Sequence, residues 1–566
     1  MSINMKSEDE PIRIGVFVCH CGTNIGGVLD CEGLAEYAAT LPNVVFSDHN
    51  LYTCAEIGLT TIKEAIEEHN LNRVIVCSCT PRTHEPLFRS ACEEAGLNKY
   101  LFSFVNIREQ CSWVHMKKPE DAFEKAKDLI KMGVARATKL EALETIVVDV
   151  DSSALVIGGG ISGMNAASNL SKQGFKTYLV EKEKNLGGLL NSLYRLFPND
   201  QESSELLKDI EGRIQADKNI TVYTSAMITS IDGFVGNFEV EINQNGNSIR
   251  IKVGAIIVAV GATPLKPINL FGYDGKIRIT QFELENVLKN YSLNANNIVM
   301  IQCVGTRNEE RMYCSNFCCM SALKNALIIK EKNPDAHIAI LFRDMHTPGI
   351  AYEEYYRRAR ESGIIFIKYS PEKPPIVEEN KIKIYNEYLG TEIIIPYELL
   401  VLSTPLIANE DNKQIAQLLK VPLEENNFFL EAHVKLRPND FATDGVYIAG
   451  SAKWPVDITE SISQGYAAAA RASTILSHDT LEVEGATAYL SEEYKDLCRG
   501  CEICLKLCPY KAIRKNEKDE IEIIQVLCKG CGVCGASCPK KAIKIKHFTN
   551  EQILSEIYAF GGKELP

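Results

Sequence analysis

Two copies of one cysteine motif constrain the fold of this chain more than any other feature. Residues 498–509 read CRGCEICLKLCP and residues 528–539 read CKGCGVCGASCP, so each follows C-x₂-C-x₂-C-x₃-C-P. In such a motif three closely spaced thiolates hold one 4Fe–4S cubane and the fourth reaches the other cluster. The spacing therefore predicts a two-cluster ferredoxin. Its two ligand sets are Cys498, Cys501, Cys504 and Cys538, and Cys528, Cys531, Cys534 and Cys508.

A zinc ribbon is the alternative for this region, but it requires two cysteine pairs rather than two quartets. A proline ends each cysteine turn, at Pro509 and Pro539, and the tripeptide KAI follows in both copies (511–513 and 541–543). This repetition indicates an internal duplication.

Composition sets the class of protein. The 566 residues predict three or four domains, because one core rarely grows to that size. The net charge of −13 is dispersed and argues against nucleic acid and anionic membranes. Apolar runs are short, as in buried strands, and no secretory signal is visible, so a cytoplasmic protein is predicted. Twenty cysteines in such a chain favour metal or redox chemistry over disulfides.

The middle of the chain predicts a dinucleotide site. Residues 154–164 read ALVIGGGISGM, in which an apolar strand is followed by G-x-G-x-x-G and by a helical pattern. A second strand, KTYLVEK, ends near Glu181, an acid suited to ribose hydroxyls. The predicted contacts of this βαβ unit are Gly158, Gly160, Ile161, Ser162, Gly163, Glu181 and Lys182.

Other segments favour FAD over NAD for this unit. Gly187 and Gly188 follow the acid, and GAIIVAVGATP, with Ala259 and Gly261, resembles the flavoprotein strand that returns toward the dinucleotide. The segment 444–472 resembles a closing FAD motif with Gly450 at its turn and a helix from about Ile458. That motif usually has an aspartate directly after the glycine. Here Ser451 stands there, and Asp457 is the candidate substitute.

Flavoproteins of this type usually carry a second glycine-rich loop that binds NAD(P)H. In this chain, cysteines occupy the corresponding segment. The segment IQCVGTRNEERMYCSNFCCM begins like the strand of an inserted Rossmann unit, but its loop has only one glycine, Gly305. No phosphate cradle is predicted there, nor a C-x-x-C dithiol. Four thiolates on the loop and the start of a helix can close around a cubane. They are Cys303, Cys314, Cys318 and Cys319; the alternative is that they are small core residues.

The N-terminal region alternates strands and helices, as in a small doubly wound α/β domain. Six of its cysteines are predicted just beyond strand ends, where such sheets hold ligands: Cys19, Cys21, Cys54, Cys77, Cys79 and Cys111. Cys31 and Cys92 fall within helical patterns and are predicted to pack in the core. His20 and His84 are predicted to be exposed or to cap helices, with hydrogen bonding to a cluster as the alternative.

These motifs together resemble the A-type subunits of heterodisulfide reductase, which are iron–sulfur flavoproteins of methanogens and anaerobic bacteria. The resemblance covers nearly the whole chain. Its segments are FVCHCGTNI, CSCTPRTHEPLF, NIREQCSWVH, the glycine motif, IQCVGTR…YCSNFCCM and the terminal ferredoxin. One departure stands out: no cysteine lies between Phe197 and Gly254, so the extra ferredoxin module that many members insert in the flavin domain is absent. The route that such a module gives to electrons is therefore missing, or a partner protein supplies it.

The resemblance implies a cofactor set and partners. It implies an N-terminal 4Fe–4S cluster with ligands drawn from Cys19, Cys21, Cys54, Cys79 and Cys111, and it supports a cluster at the Cys303 group. It also implies flavin-based electron bifurcation among three partners: a hydrogenase or formate dehydrogenase module, ferredoxin, and the disulfide-reducing B and C subunits. The resemblance also implies a homodimer within a larger complex.

The sequence thus predicts an electron-transfer oxidoreductase of α/β class with no covalent nucleophile. The predicted domains are a cluster domain (1–145), a thioredoxin-reductase-like FAD domain (146–484, with an inserted unit at about 297–405) and a ferredoxin domain (485–566). Two alternatives remain open: an NAD(P)H-dependent flavoprotein oxidoreductase, and an electron-conducting adaptor with a structural flavin.

Overall fold

The computed structural model describes residues 11–291 and 293–562. The N-terminal segment, for which the sequence predicts no secretory signal, lies largely outside these residues. The last four residues of the predicted ferredoxin domain lie outside them as well. The chain forms two compact units. One contains the N-terminal residues up to Val147 and the C-terminal residues from Glu482, and the other is Val148–Leu481.

The N-terminal part is a parallel sheet with helices on both faces. The strands pair in the order β2-β1-β3-β4, all parallel. Successive residues of a strand point to opposite faces, so each buried strand supplies both helix layers with apolar side chains. The elements are β1 (Ile14–Cys19), α1 (Cys31–Ala39), β2 (Val44–Asn50), α2 (Glu56–Glu68), β3 (Arg73–Ser78), α3 (Pro81–Glu94), β4 (Phe102–Asn106) and α4 (Pro119–Ala137).

The second unit begins with the predicted βαβ motif. A five-stranded parallel sheet has the strand order β23-β12-β6-β7-β8, in which β23 is Val446–Ile448. Helices α5, α6 and α11 (Ile458–Leu476) pack on one face, and the antiparallel sheet β11-β10-β9 packs on the other. The first elements of this unit are β5 (Ile146–Asp149), β6 (Ser153–Ile157), α5 (Ile161–Lys172), β7 (Lys176–Val180), α6 (Ser203–Ala216), β8 (Ile220–Tyr223), β9 (Ala226–Phe234), β10 (Asn237–Gln244), β11 (Asn247–Val253), β12 (Ala255–Val258) and β13 (Thr263–Pro264).

A second parallel sheet forms the inserted Rossmann-like unit. Its order is β14-β21-β15-β16-β17, with helices on one face and the antiparallel sheet β18-β19-β20 on the other. Its elements are β14 (Arg278–Thr280), α7 (Gln281–Asn290), β15 (Asn297–Ile301), α8 (Cys318–Lys332), β16 (His337–Phe342), α9 (Ile350–Glu361), β17 (Ile365–Lys368), β18 (Ile376–Val377), β19 (Lys381–Asn386), β20 (Thr391–Pro396) and β21 (Leu399–Leu402).

The chain then returns to the first sheet of the unit and closes it. The helix that ends this unit begins at the position that the sequence predicts. The elements are β22 (Leu406–Ile407), α10 (Asn412–Leu419), β23 (Val446–Ile448), α11 (Ile458–Leu476) and β24 (Thr480–Val483).

The ferredoxin region repeats its backbone conformation as well as its sequence. Lys511 and Lys541 have φ of +52° and +55°, and Gly500 and Gly530 have φ of +65° and +61°. Left-handed conformations at positions thirty residues apart show that the duplication extends to the turns around the cysteines. The elements are β25 (Ala488–Leu490), α12 (Ile503–Leu507), β26 (Ile513–Lys515), β27 (Ile521–Ile523), α13 (Val533–Ser537), β28 (Ile543–Ile545) and α14 (Asn550–Phe560).

The ferredoxin region and the N-terminal sheet domain belong to the same compact unit, and hydrogen bonds connect them. The Gly485 N–H donates to the Tyr100 hydroxyl at 2.6 Å, and Gln552 Nε2 donates to the Lys139 carbonyl at 2.9 Å. Arg136 donates to the carbonyl of the buried residue His547 at 2.9 Å. Burial, together with the charges of Arg136 and Arg89, lowers the pKa of His547 to about 3, so the imidazole is neutral at this junction.

No helix in the described ranges combines the length and the apolarity that a membrane crossing requires.

Candidate functional site

A cavity of about 330 Å³ lies in the second unit beside the glycine motif that follows β6. Its size falls within the range of about 300–1,000 Å³ that is usual for cofactor sites. Parallel sheets bind ligands beyond the carboxyl ends of their strands, and this cavity lies at such a position. Thirteen of the predicted nucleotide contacts line it: Gly158, Gly160, Ile161, Ser162, Glu181, Lys182, Gly187, Gly188, Ala259, Gly261, Ser451, Asp457 and Ile458.

The glycines of the first motif have different tasks. A Cβ at Gly158, where φ is +108°, would lie 2.3 Å from the Ala259 carbonyl oxygen. A Cβ at Gly163 would lie 1.9 Å from the Gly158 oxygen, so Gly163 permits the helix to pack on the loop and does not line the cavity. Gly160 directly precedes α5, and a Cβ there would meet nothing within 4 Å. Gly160 therefore leaves the helix N-terminus open to a phosphate group.

Glu181 holds the glycine loop in place. Its buried carboxylate accepts hydrogen bonds from the backbone N–H of Gly159 at 2.6 Å and of Glu183 at 2.8 Å. Each oxygen keeps a further lone pair that ribose hydroxyls can use. Lys182 extends outward and pairs with Asp411 at 2.9 Å.

The closing motif supports the cavity from the opposite side. Gly450 has φ +68°, and a Cβ there would lie 2.2 Å from Ser162 Oγ, so this glycine permits close packing on α5 rather than lining the cavity. Asp457 caps α11 by accepting from the Glu460 N–H at 2.9 Å, and it accepts from the Tyr352 hydroxyl at 2.6 Å. Asp457, Ile458 and Ser461, at the N-terminal end of α11, line the cavity.

An ion pair that the sequence pattern did not predict lies in the cavity wall. Lys324 and Glu285 form a salt bridge in which each side chain is only 2% exposed. Lys324 Nζ also donates to the Arg195 carbonyl at 2.7 Å, and Glu285 accepts from the Tyr194 N–H at 2.9 Å. The signal in the sequence is a lone lysine within the apolar helical run SALKNALII. A lysine is rarely buried in a folded protein unless a group of opposite charge pairs with it.

The Cys303 quartet lies at the start of the helix that carries Lys324. Cys318 and Cys319 are the first residues of α8, and Cys303 follows the end of β15 in a left-handed conformation (φ +61°). Burial raises the pKa of Cys318 well above its usual value, and the nearby thiols of Cys319, Cys314 and Cys303 raise it further. The four thiols therefore lie within electrostatic reach of one another. Phe317, Ser321 and Lys324, on the same helical segment, line the cavity.

The C-terminal cysteines group across the duplication. Burial raises the pKa of Cys534 to about 11, with further contributions from Cys528, Cys508 and Cys531. This proximity agrees with the crossed pattern in which Cys508, from the first motif, joins the second trio. Backbone N–H groups point at these sulfurs: Ala488 donates to Cys528 at 3.2 Å and Ala512 donates to Cys508 at 3.3 Å.

The first trio of cysteines also groups together. Burial raises the pKa of Cys504, and Cys498 and Cys501 raise it further. Cys538 directly follows α13, as Cys508 directly follows α12. The duplication therefore predicts that Cys538 has the role for the first trio that Cys508 has for the second.

The N-terminal cysteines divide into two groups. Burial raises the pKa of Cys54, and the thiols of Cys19, Cys79 and Cys21 raise it further. Cys111 is separate: its thiol is completely buried and donates to the Ala122 carbonyl at 3.0 Å, and the only charged group that shifts its pKa is Lys125. The structure thus brings together four of the five cysteines that the sequence left open.

The structure also shows where the other cysteines and His20 of this domain lie. Cys77 lies inside β3 and is completely buried, not beyond the end of the strand, because β3 continues to Ser78. Cys31 and Cys92 lie in the cores of their helices, as predicted. His20 is half-buried and pairs with His49, with Nε2 and Nδ1 2.9 Å apart.

Three of the residues with buried, unpartnered polar atoms lie next to the two cysteine groups outside the ferredoxin. Among the described residues, the amide of Gln302, beside Cys303, and the hydroxyl of Thr404, whose carbonyl lies 3.5 Å from the sulfur of Cys318, are buried without a hydrogen-bond partner. The hydroxyl of Thr53, beside Cys54, is in the same situation. Such atoms are uncommon in folded proteins, and sulfide or thiolate acceptors would satisfy the donors among them.

No group of three or more His, Cys, Asp or Glu side chains in the described ranges is arranged to hold a single metal ion. A cubane makes a different demand, because each of its four irons takes one thiolate. The cysteine groups and the orphaned polar atoms fit a cluster, and the cavity with its open Gly160 fits a dinucleotide.

Comparison with known proteins gives the chain a family. Residues 152–301 match the family described as pyridine nucleotide-disulphide oxidoreductase, and residues 497–542 match the 4Fe-4S dicluster domain. The chain is 38% identical to one of the iron–sulfur A subunits of CoB–CoM heterodisulfide reductase from Methanopyrus kandleri, over 91% of this chain and 92% of that protein. It belongs to the family of heterodisulfide reductase A subunits.

A second relative extends the match to nearly the whole chain. The A subunit of the H(2):CoB-CoM heterodisulfide,ferredoxin reductase from Methanothermobacter thermautotrophicus is 37% identical over 98% of each protein. A structure of T. acidophilum thioredoxin reductase aligns with 57% of this chain and 97% of its own, at 17% identity and a TM-score of 0.40.

These findings confirm the predicted fold class and cofactor types. The chain is an oxidoreductase of the heterodisulfide reductase family that binds FAD and 4Fe–4S clusters, and it serves as a flavin and iron–sulfur electron-transfer subunit.

Alignment length also bears on the module that the sequence lacks. The match to the M. kandleri relative spans 612 positions, although 91% of this chain is about 515 residues. About 97 positions of that alignment therefore have no counterpart in this chain.

Proposed function

We propose that this protein carries electrons between a flavin at the cavity and four 4Fe–4S clusters, and that the flavin bifurcates them. The clusters would be held by the two crossed ferredoxin sets, by the Cys303 quartet, and by Cys19, Cys21, Cys54 and Cys79. The partners would be a hydrogenase or formate dehydrogenase, ferredoxin, and a disulfide-reducing pair of subunits. The names of relatives support them, since one is called an H(2):CoB-CoM heterodisulfide,ferredoxin reductase and another an H(2)/formate enzyme.

The observation that carries this proposal is the position of α8. One helix begins with two cysteines of the quartet and, within two turns, places Ser321 and Lys324 in the wall of the flavin cavity. A helix rises about 1.5 Å per residue, so the cluster ligands and the cavity wall are only about 10 Å apart along it. A strand-end loop that holds nicotinamide in other flavoproteins holds thiols here, so the route from the cavity leads to a cluster.

The chain's own residues fix the geometry of this route. When bound, the flavin can exchange electrons in pairs or singly, and the clusters conduct single electrons. Gly160 and the N-terminus of α5 receive the pyrophosphate, and Glu181 orients the loop beside the ribose. Lys324 and Glu285 form a neutral ion pair in the cavity wall, and the Asp457 carboxylate caps the N-terminus of α11.

A route for electrons to leave the flavin unit must still be provided. Since this chain lacks the inserted module, we propose that a partner protein docks its own cluster near the flavin unit, while the C-terminal ferredoxin serves another partner. The oligomer would be a dimer of such assemblies, as the resemblance implies.

A reduction experiment distinguishes this function from its alternatives. Under anaerobic conditions, we expect NADH and NADPH to leave the flavin oxidised, because no phosphate cradle follows β15. Stepwise addition of Ti(III) citrate should reduce both the clusters and the flavin. Rapid bleaching of the flavin by NADH would instead show an NAD(P)H-dependent oxidoreductase. Clusters that cycle while the flavin stays oxidised would show an adaptor with a structural flavin.

A further inference from the structure

An arginine lies against the sulfur of the first cysteine in the quartet. The guanidinium Nη1 of Arg307 is 3.9 Å from Cys303 Sγ, within hydrogen-bonding range for a sulfur acceptor. Its Nη2 donates to Asp344 Oδ2 at 2.7 Å. The arginine is thus shared between a carboxylate and the cysteine, and its side chain is 33% exposed.

The surroundings hold this arginine in one place. The backbone of Arg307 is left-handed (φ +55°), its N–H donates to the Tyr313 carbonyl at 3.3 Å, and its carbonyl accepts from Arg343 Nη1 at 2.7 Å. Asp344 follows β16, and its own carbonyl lies 3.8 Å from the sulfur of Cys319. The residue that holds Arg307 is therefore itself in contact with the quartet.

We propose that Arg307, positioned by Asp344, raises the reduction potential of the cluster at the Cys303 quartet by donating a charge-assisted hydrogen bond to Cys303. The inference rests on the cluster assignment made under the proposed function. A one-electron reduction adds negative charge to the cluster and its thiolates, and a fixed cation beside one sulfur stabilises that charge. Arg307 would thereby set which way electrons flow between this cluster and the flavin.

The test is an anaerobic redox titration of the full chain, followed by electron paramagnetic resonance. The signal of this cluster is identified as the one that disappears in Cys318→Ser. In Arg307→Gln we expect the equilibrium constant for reducing this cluster to fall about tenfold, which is about 59 mV toward more negative potential. Iron content should stay at the wild-type value.

Two further variants isolate the cause. Arg311→Gln is the matched control, because Arg311 lies in the same loop but pairs with Glu310 at 2.9 Å; its potential should equal that of the wild type. Arg307→Lys retains the charge and should recover at least half of the shift.

The outcomes separate this inference from the proposed function. An unchanged potential in Arg307→Gln, with the cluster present, overturns the inference and leaves the cluster assignment standing. A shift of equal size in Arg311→Gln or Arg307→Lys also overturns it, because the effect would then not depend on this charge at this sulfur. If Cys318→Ser removes no signal, the cluster assignment itself fails.

Discussion

Replacing Lys324 with methionine is expected to lower the free energy of unfolding of the flavin-binding unit by about 3–5 kcal/mol. The substitution leaves the carboxylate of Glu285 buried without its cation, since both side chains are 2% exposed. A carboxylate in that position must be neutralised or must pull water into the core. Denaturant unfolding of anaerobically purified protein, followed by flavin release, measures the change.

Two companion variants show whether the loss comes from the unpaired charge. The double variant Lys324→Met, Glu285→Leu should recover most of the stability, because no charge is then stranded. Arg357→Met removes an exposed ion pair with Glu354, whose side chains are 62% and 53% exposed, and should cost at most about 1 kcal/mol. A Lys324→Met protein as stable as the Arg357→Met protein would show that the pair is not buried as described.

Replacing Cys54 with serine is expected to remove four irons and four sulfides per chain, while replacing Cys111 with serine should remove none. Cys54 shares its electrostatic environment with three other thiols, whereas the Cys111 thiol is bonded to the Ala122 carbonyl away from them. Iron and acid-labile sulfide analysis of the two anaerobically purified variants measures the difference.

The pair of variants is matched, since both cysteines belong to the same domain and each change replaces one sulfur by oxygen. Loss of four irons from Cys111→Ser would place Cys111 among the ligands. Retention of all iron in Cys54→Ser would remove Cys54 from the proposed set.

The parts of this molecule that sequence could predict are those with local signals. Both Gly160 and Gly163 are fixed by a strand–loop–helix whose residues are adjacent in the chain, and the ferredoxin quartets repeat after thirty residues. The order of strand, glycine loop and helix determines the βαβ unit before any long-range contact is known.

The parts that sequence could not predict depend on contacts between distant segments. Lys324 and Glu285 are 39 residues apart and meet only because α7 and α8 pack together. The close packing of Gly450 on the side chain of Ser162 is another such contact. The role of Gly450 in binding the cofactor stays a prediction. Likewise, only the fold shows that the Cys111 thiol points at the helix that follows it rather than at the other cysteines.

Cysteines outside the ferredoxin are proposed to hold two further clusters, one at the Cys303 quartet near the flavin cavity and one in the N-terminal domain. Iron, acid-labile sulfide and FAD per chain, on protein purified without oxygen, test this proposal most directly. The four-cluster assignment predicts about sixteen irons and sixteen sulfides with one FAD. About eight irons would confine the clusters to the C-terminal ferredoxin and would contradict the assignments at Cys303 and at Cys54.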